Sequence, residues 1–357
     1  MVIVQIVAGF QFLGWVDDDI SVDRTTTIQN LTIWAITCVA TASVVSGLNA
    51  GIKFLSLLAF FLGLLLQFLV FAMDDSKFLM NLIVQETGYF MQHGIFLYNS
   101  WTDAFGQLRE GSGRAIDGGA SPTWFMDAWV VFYQAWWVSW SVFVGLFVAR
   151  ISRGRYIYEV IVFSMVVPIM YSIFWFCIWG GVGLRQHRQA REIELLGGTL
   201  YNDTSYFLVD GSNNCYDVPQ ESLYNAEGEK VFENFLEGVT PVCQFDSNKA
   251  TDSAYNVLYS FSFPNSFDGE GLGPTLTVLF IISLAIYFAT SSDSGSLIVD
   301  FLASNGRLHH HWSQRLFWAV TEGAVATALL TAGGADALSA LQAASIISGL
   351  PLCILLC

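Results

Sequence analysis

The chain has 357 residues, of which 54% are hydrophobic and 13% are charged, and its formal net charge is −15. Soluble domains carry about 25% charged residues, so this composition excludes an ordinary soluble protein. The expected surrounding is a lipid bilayer, and no nucleic-acid partner is expected.

Apolar stretches along the chain predict membrane-spanning helices. A helix needs about 20 apolar residues to cross the hydrocarbon core, and residues 54–73 contain no charged side chain. Glu322 alone interrupts another such stretch at 316–335. Further charge-free stretches lie within 25–52, 128–149, 160–184, 271–292 and 337–357. The sequence therefore predicts an all-α polytopic membrane protein. Because both ends of the chain are apolar, we expect an internal fragment of a longer protein.

The predicted segments follow one another in a simple order. Residues 1–183 hold transmembrane helices, and the amphipathic pattern near 78–100 suits a helix on the outer membrane surface. Residues 184–271 form a long extracellular loop with no sustained periodicity, and residues 272–357 return to transmembrane helices.

Basic residues predict the orientation of the chain. The short connections around Lys53, at Arg150–Arg155 and at 307–315 are basic, whereas the long connections are acidic. Cytoplasmic loops are enriched in lysine and arginine, so the short connections are assigned to the cytoplasm. Arg150, Arg153 and Arg155 are interpreted mainly as topology anchors, with ion pairs that help to close a cytoplasmic gate as a further role.

Features of the opposite side agree with this orientation. Sequons at Asn30 and Asn202 fall on the outer side, where glycosylation occurs. Cys215 and Cys243 lie in the long outer loop and are a candidate disulfide pair in an oxidising compartment. The three histidines at 309–311 are interpreted as a solvated loop and not as a metal site.

Aromatic residues crowd the helix predicted at 128–149. At 3.6 residues per turn, Trp129, Tyr133, Trp136 and Trp140 fall on one stripe, with Trp137 beside it. Interfacial belts explain rings near a membrane surface, but the last three tryptophans lie deeper. Ring faces attract quaternary ammonium groups. On these residues alone, a cage for such cations and simple helix packing are equally supported.

A longer pattern surrounds these rings. The segment FYQAWWVSWSVFVGLFVARISRGR at 132–155 resembles the signature span of the betaine/choline/carnitine transporter family. The segments SGLNAGIKFLS at 46–56, YFATSSDSGSLIVD at 287–300 and GGADALSALQAASIISGLP at 333–351 are similar to three further family segments. The resemblance covers most of the chain except 185–270, where the loop is unusually long.

The resemblance implies a fold and a place within it. Family members have twelve helices around an inverted repeat of five plus five, and they hold substrate in the middle of the membrane. The chain then corresponds to the end of the fifth helix through the start of the twelfth, and the N-terminal part of the fold is missing.

The resemblance also implies substrate-binding residues. Trp137 contributes to the aromatic cage, Trp136 and Trp140 line the pathway, and Phe132 lies at its outer approach. Two positions depart from the family pattern: Gln134 replaces tryptophan, and Val142 replaces proline. The second change predicts a straighter helix, since proline kinks helices.

A hydroxyl-rich segment predicts a site for the coupling ion. By resemblance, Thr290 and Ser291 bind sodium through their side chains and Tyr287 through its carbonyl, with unwound backbone as a further source of oxygen ligands. A helix cap or small-residue packing is the alternative. Asp293 is interpreted as a structural hydrogen-bonding group, and Glu322 as facing a neighbouring helix or a polar cavity.

These observations predict a function without enzymatic activity. We expect a plasma-membrane secondary active transporter for onium zwitterions of betaine, choline, carnitine or sulfonium type, coupled to sodium and working by alternating access. A sodium-independent exchanger of the same fold and a non-transporting sensor are alternatives. A membrane enzyme is disfavoured, because we find no constellation of catalytic residues that it would need. The sequence leaves open whether the protein is a homo-oligomer.

Overall fold

The computed structural model describes residues 2–17, 21–99, 132–195, 215–216, 218, 223–231, 235, 242–244, 253–261, 272–306 and 311–356. Its helices are α1 (Val2–Phe12), α2 (Val22–Ser46), α3 (Lys53–Met73), α4 (Ser76–Asn99), α5 (Phe132–Ile151), α6 (Ile157–Ile161), α7 (Val167–Leu195), α8 (Ser253–Tyr259), α9 (Gly273–Ala303) and α10 (Trp312–Leu356). Two π-helical turns, at Leu48–Ile52 and Val162–Val166, precede α3 and α7. The short strands β1 (Cys215–Tyr216) and β2 (Val242–Cys243) pair antiparallel.

Long apolar helices confirm the prediction of an all-α polytopic membrane protein. Five described helical segments are long and apolar enough to cross a membrane: Val22–Ser46, Ala50–Met73, Phe132–Ile151, Ile157–Leu195 and Gly273–Ala303. The segment predicted near 78–100 is helical from Ser76 to Asn99, and its place on the membrane surface stays a prediction.

The two last apolar stretches differ from the expectation of separate segments. The structure joins 316–335 and 337–357 in the single helix α10, which runs over 45 residues. The sequence between the stretches contains no proline, and the nearest proline inside the helix is Pro351. Backbone hydrogen bonding therefore continues where hydropathy alone suggests a boundary.

Two glycines allow the chain to turn after α2, within the segment SGLNAGIKFLS. Gly47 has a φ of 91°, a left-handed conformation that favours glycine and ends helices. A Cβ atom at Gly51 would clash with the carbonyl group of Ser43. The chain can pass from α2 into the π-helical turn because both positions lack a side chain.

The chain divides into two compact units. The first combines Met1–Thr32, Lys53–Glu86 and Met170–Thr290, and the second combines Ile33–Ile52, Thr87–Ile169 and Ser291–Cys357. In the second unit, a core of Val44, Ile52, Leu297 and Ala319 is packed by Phe147.

The long connection that begins near residue 184 contains ordered structure in the first unit. Helix α7 continues to Leu195, past the predicted end of the span at 184, and its residues Ala190 and Ile193 are fully buried. They pack against a small apolar cluster formed by Tyr216, Val218, Leu223, Phe235 and Val242. Cys243 is disulfide-bonded, and Cys215, the cysteine predicted to pair with it, lies opposite it in the strand register. The end of α7 thus carries a small core of its own.

A buried ion pair joins α3 and α7 where α7 leaves its apolar stretch. Arg185 donates from Nε and Nη2 to the two carboxylate oxygens of Asp74, with Nε 3.0 Å from Oδ1. Its Nη1 donates to Gln189 Oε1 at 3.0 Å. Both ionic side chains are almost wholly buried. Arg185 is therefore a packing residue.

We predict that Arg185→Ala strongly destabilises the protein. Removal of one partner leaves the Asp74 carboxylate buried and uncompensated, which costs about 3–5 kcal/mol. The measurement is the unfolding free energy of the intact protein in detergent. Arg188→Ala and Arg191→Ala are matched controls, because both side chains are exposed on the same helix. Equal losses in all three variants would contradict a special role for the pair.

Candidate functional site

The aromatic residues of α5 form a continuous cluster of rings. The ring centroids of Phe132 and Trp136 lie 5.3 Å apart, and those of Tyr133 and Trp136 lie 6.2 Å apart. Trp136 meets Trp140 edge to face at 5.7 Å and 87°. These distances fall within the range in which aromatic pairs attract each other. The helix therefore holds its rings in a defined arrangement.

The cluster surrounds a concavity with aromatic walls. Tyr133, Trp136, Trp137 and Trp140 line a space of about 240 Å³. None of these residues carries a formal charge at neutral pH. The Trp137 side chain is 72% exposed among the described residues, so its ring is not used for packing there. The arrangement can offer ring faces to a soft cation.

Packing in the second unit turns the rings away from α10. A Cβ atom at Gly349 would lie 2.7 Å from the Ala135 carbonyl oxygen, so α10 contacts α5 closely at this point. At 100° per residue, Ala135 lies 160° around the helix from Trp137. The glycine of α10 thus fixes the back of α5 and leaves the opposite, aromatic face open to a ligand.

The two departures from the family pattern leave α5 regular. The helix continues without interruption through Gln134 and Val142 to Ile151. Val142 supplies the backbone N–H that proline would lack. The expectation of a straighter helix stays a prediction.

The residues predicted to bind sodium, Tyr287, Thr290 and Ser291, lie within about one turn of α9. Thr290 Oγ1 donates to the Tyr287 carbonyl oxygen at 2.8 Å, which places two of the predicted ligand groups side by side. Ser291 follows on the same helix and is exposed. In contrast to the expected unwound backbone, α9 is helical throughout Gly273–Ala303, since the segment contains no residue that stops a helix after Pro274. Hydroxyl and carbonyl oxygens suit a hard cation.

Two acids of the second unit accept hydrogen bonds from serines. Ser43 Oγ on α2 donates to Asp293 Oδ2 at 2.5 Å, and Ser294 Oγ donates to the other oxygen at 3.1 Å. Glu322 on α10 accepts from Ser296 Oγ at 2.7 Å. Asp293 is fully buried. In this arrangement the serine hydroxyls link α9 to both α2 and α10.

A second polar cluster lies near the end of α9 and the start of α10, and it was not predicted from the sequence. Asp300 is fully buried and lies 3.4 Å from Arg315 Nε, and Arg150 lies over the ring of Phe301 at 5.2 Å. Such a cation–π contact gives Arg150 a packing role, and its role as a topology anchor stays a prediction. Arg153 is exposed, as is Arg155. Asp300 and Arg315 lie on different helices, and no short sequence motif indicates the pair.

The remaining predicted groups lie as follows. Asn30 lies within α2, and its side-chain carbonyl oxygen is shielded from solvent. Asn202 lies outside the described residues, as do Trp129, His309 and His310. His311 precedes α10, with its Nδ1 atom 2.7 Å from Ser313 Oγ. Among the described residues, no group of three histidines, cysteines or acids could hold a metal ion.

A known protein family matches most of this chain. The model of the family described as "BCCT, betaine/carnitine/choline family transporter" matches residues 1–205 and 244–357. The interval between the two matches, 206–243, is narrower than the stretch 185–270 that the resemblance left out, so the family model extends into both ends of that connection.

Individual relatives are similar over nearly the whole chain. An uncharacterized transporter of Mycobacterium tuberculosis is 32% identical over 99% of the chain and 46% of its own length. A glycine betaine/proline/choline/ectoine transporter of Vibrio parahaemolyticus is 30% identical over 90% of the chain and 44% of its length. An ectoine/glycine betaine/proline transporter of Corynebacterium glutamicum is 30% identical over 98% and 44%. The chain thus spans less than half the length of these relatives.

The family description and the names of these relatives denote transporters and not enzymes. The matched residues include α5 with its aromatic cluster and α9 with Tyr287 and Thr290. The chain belongs to the betaine/carnitine/choline transporter family of multi-pass membrane proteins.

Proposed function

We propose that the intact protein is a secondary active transporter of the plasma membrane that takes up onium zwitterions together with sodium. The aromatic cluster of α5, in a chain of this family, is the observation that carries the proposal. Similar proteins are named for glycine betaine, proline, choline and ectoine. We therefore assign the substrate to small solutes with a soft cationic group.

The rings would bind the cationic head of the substrate. A quaternary ammonium group has no N–H to donate, so hydrogen bonds cannot recognise it. The negative faces of Trp137, Trp136 and Trp140 attract its charge without a carboxylate counter-ion. A zwitterion suits such a site because its own carboxylate balances the charge and remains available to hydrogen-bond donors elsewhere.

Sodium would supply the driving force. The proposed ligands on α9 are the Tyr287 carbonyl and the hydroxyls of Thr290 and Ser291, and the remaining ligands would come from elsewhere in the intact protein. The ion would favour the conformation that binds substrate, because a ligand shifts an equilibrium by its difference in affinity for the two states. Rocking of the repeat domains would then expose the site to each side in turn.

Two alternatives differ in measurable ways. A sodium-independent exchanger keeps the aromatic cage, and its uptake would not respond to a sodium gradient. A sensor of the same fold binds the solute without flux, so substrate would bind to protein in vesicles but not accumulate inside them. We favour transport because the similar proteins named above are transporters.

We predict that Trp137→Ala weakens glycine betaine binding about tenfold or more. A desolvated cation–π contact is worth about 2 kcal/mol, and about 1.4 kcal/mol corresponds to a factor of ten in affinity. The measurement is calorimetric titration of the intact protein. Because the Trp137 ring is mostly exposed, the variant should unfold at the wild-type temperature. Phe143→Ala removes another exposed ring of α5 that lies outside the concavity, and it should bind normally. Unchanged affinity in Trp137→Ala would refute the cage.

We predict that Thr290→Ala combined with Ser291→Ala raises the sodium concentration needed for half-maximal uptake. The substitutions remove two proposed ligand oxygens and keep the helix. Thr321→Ala is the matched control, because Thr321 Oγ1 also donates to a carbonyl of its own helix, at 2.7 Å from Phe317 O. An identical sodium dependence in the double variant and the control would support a packing role instead.

A further inference from the structure

Helix α3 carries a glycine in the middle of its buried face. Gly63 falls on one stripe of buried residues with Ala59, Leu66 and Val70, which have the spacing of successive helical turns. Glycine is a poor helix former, and in membrane helices small residues allow other groups to approach the backbone closely. Its place in this stripe therefore points to a close contact with a neighbouring helix.

Two tyrosine hydroxyl groups occupy the space beside Gly63. A Cβ atom at this position would lie 2.7 Å from the hydroxyl oxygen of Tyr171 on α7, and it would lie closer still to that of Tyr287 on α9. Real Cβ atoms essentially never make such short contacts. Three helices of the first unit can therefore meet at this point because residue 63 has no side chain.

Neighbouring rings restrict the first of these tyrosines. The Tyr171 ring lies 6.4 Å from that of Phe60 on α3 and 5.9 Å from that of Trp175 on α7. Its hydroxyl oxygen is shielded from solvent. Packing on two sides leaves little room for another rotamer. An atom added at Gly63 would thus displace mainly the Tyr287 ring, whose side chain is more exposed.

Tyr287 connects this contact to the proposed sodium ligands. Its carbonyl oxygen, which we assign to the ion, accepts from Thr290 Oγ1 at 2.8 Å. Only two rotatable bonds separate the backbone of a tyrosine from its ring, so the packing of the ring restricts the backbone of the same turn. Groups that orient a metal ligand from behind change the affinity for the metal when they are altered.

We propose that Gly63 is a positioning residue for sodium binding. It leaves room for the Tyr287 phenol against α3, and the packed ring holds the carbonyl group of the same residue where the ion would bind. Gly63 itself would not contact the ion. The inference rests on the proposed function, because sodium is the ligand whose affinity it concerns, and it adds a residue that the family resemblance did not indicate.

The same geometry predicts which property should stay unchanged. The concavity on α5 is lined by residues of that helix alone, and a displaced Tyr287 ring would leave those rings in place. A change in sodium affinity without a change in substrate affinity at saturating sodium therefore separates positioning from a general loss of packing.

The test measures uptake of glycine betaine against sodium concentration, with the intact protein in proteoliposomes. We expect Gly63→Ala to raise the sodium concentration for half-maximal uptake about tenfold, as do losses of other groups that orient a metal ligand. The KM for glycine betaine at saturating sodium should keep its wild-type value. Gly180→Ala is the matched control, since Gly180 lies on a membrane-spanning helix of the same unit and a Cβ atom there meets no described atom within 4 Å.

Removal of the two hydroxyl groups tests the cause of the effect. In the background of Tyr171→Phe and Tyr287→Phe, a Cβ atom at Gly63 would have Cζ of residue 287 as its nearest neighbour, at 3.2 Å, and a small shift relieves this contact. Gly63→Ala should then change the sodium requirement little, because residues in contact have non-additive effects. An equal fold-change in both backgrounds would place the effect elsewhere on α3 and overturn the proposal.

A further variant covers the case in which Gly63→Ala does not fold. Tyr287→Ala removes the packed ring and keeps the backbone carbonyl, and its side chain is exposed enough for the variant to fold. It should also raise the sodium requirement about tenfold, whereas Phe176→Ala, which removes an exposed ring of α7, should not. Unchanged sodium dependence in Tyr287→Ala would contradict the positioning role.

The remaining outcomes distinguish this inference from the proposed function. Wild-type uptake that does not respond to sodium would contradict both. Sodium-dependent uptake in the wild type, with equal sodium requirements in Gly63→Ala and Gly180→Ala, would overturn the positioning role alone. An equal loss of sodium and glycine betaine affinity in Gly63→Ala would indicate general packing and would also overturn it.

Discussion

The cost of placing charge in hydrocarbon is the constraint on which this structure depends. A buried ionic group persists only with partners, and several acids of this structure lie beside such partners. Arg185 is paired with Asp74, and Arg315 lies beside Asp300. Asp293 accepts hydrogen bonds from serines, as does Glu322. The same constraint governs a cationic substrate, which must exchange water for something equally favourable.

Aromatic rings meet this need without adding a charge to the protein. A carboxylate in the site would bind a cation tightly but would also need a partner of its own whenever the site is empty. The Trp137 ring needs no such partner. It can remain exposed at 72% and still attract an onium head.

The class of fold could be predicted from the sequence because each membrane span is long and apolar. Its helical structure does not depend on which helices pack against it. The aromatic stripe of α5 was also predictable, since it follows from helical periodicity alone. Pairs such as Arg185 with Asp74 were not predictable, because their partners are far apart in the chain and no local pattern joins them. For the same reason hydropathy placed Arg185 at the start of a loop, whereas the structure extends α7 beyond it.

The central claim is that the positive charge of the substrate, and not its shape, holds it against the rings. Comparison of glycine betaine with 3,3-dimethylbutanoate tests this claim most directly, because the second compound replaces the cationic nitrogen by a carbon of similar size. The account predicts that the intact protein binds the neutral-headed compound at least about tenfold more weakly, as the loss of a desolvated cation–π contact requires. Equal affinities for the two compounds would contradict it.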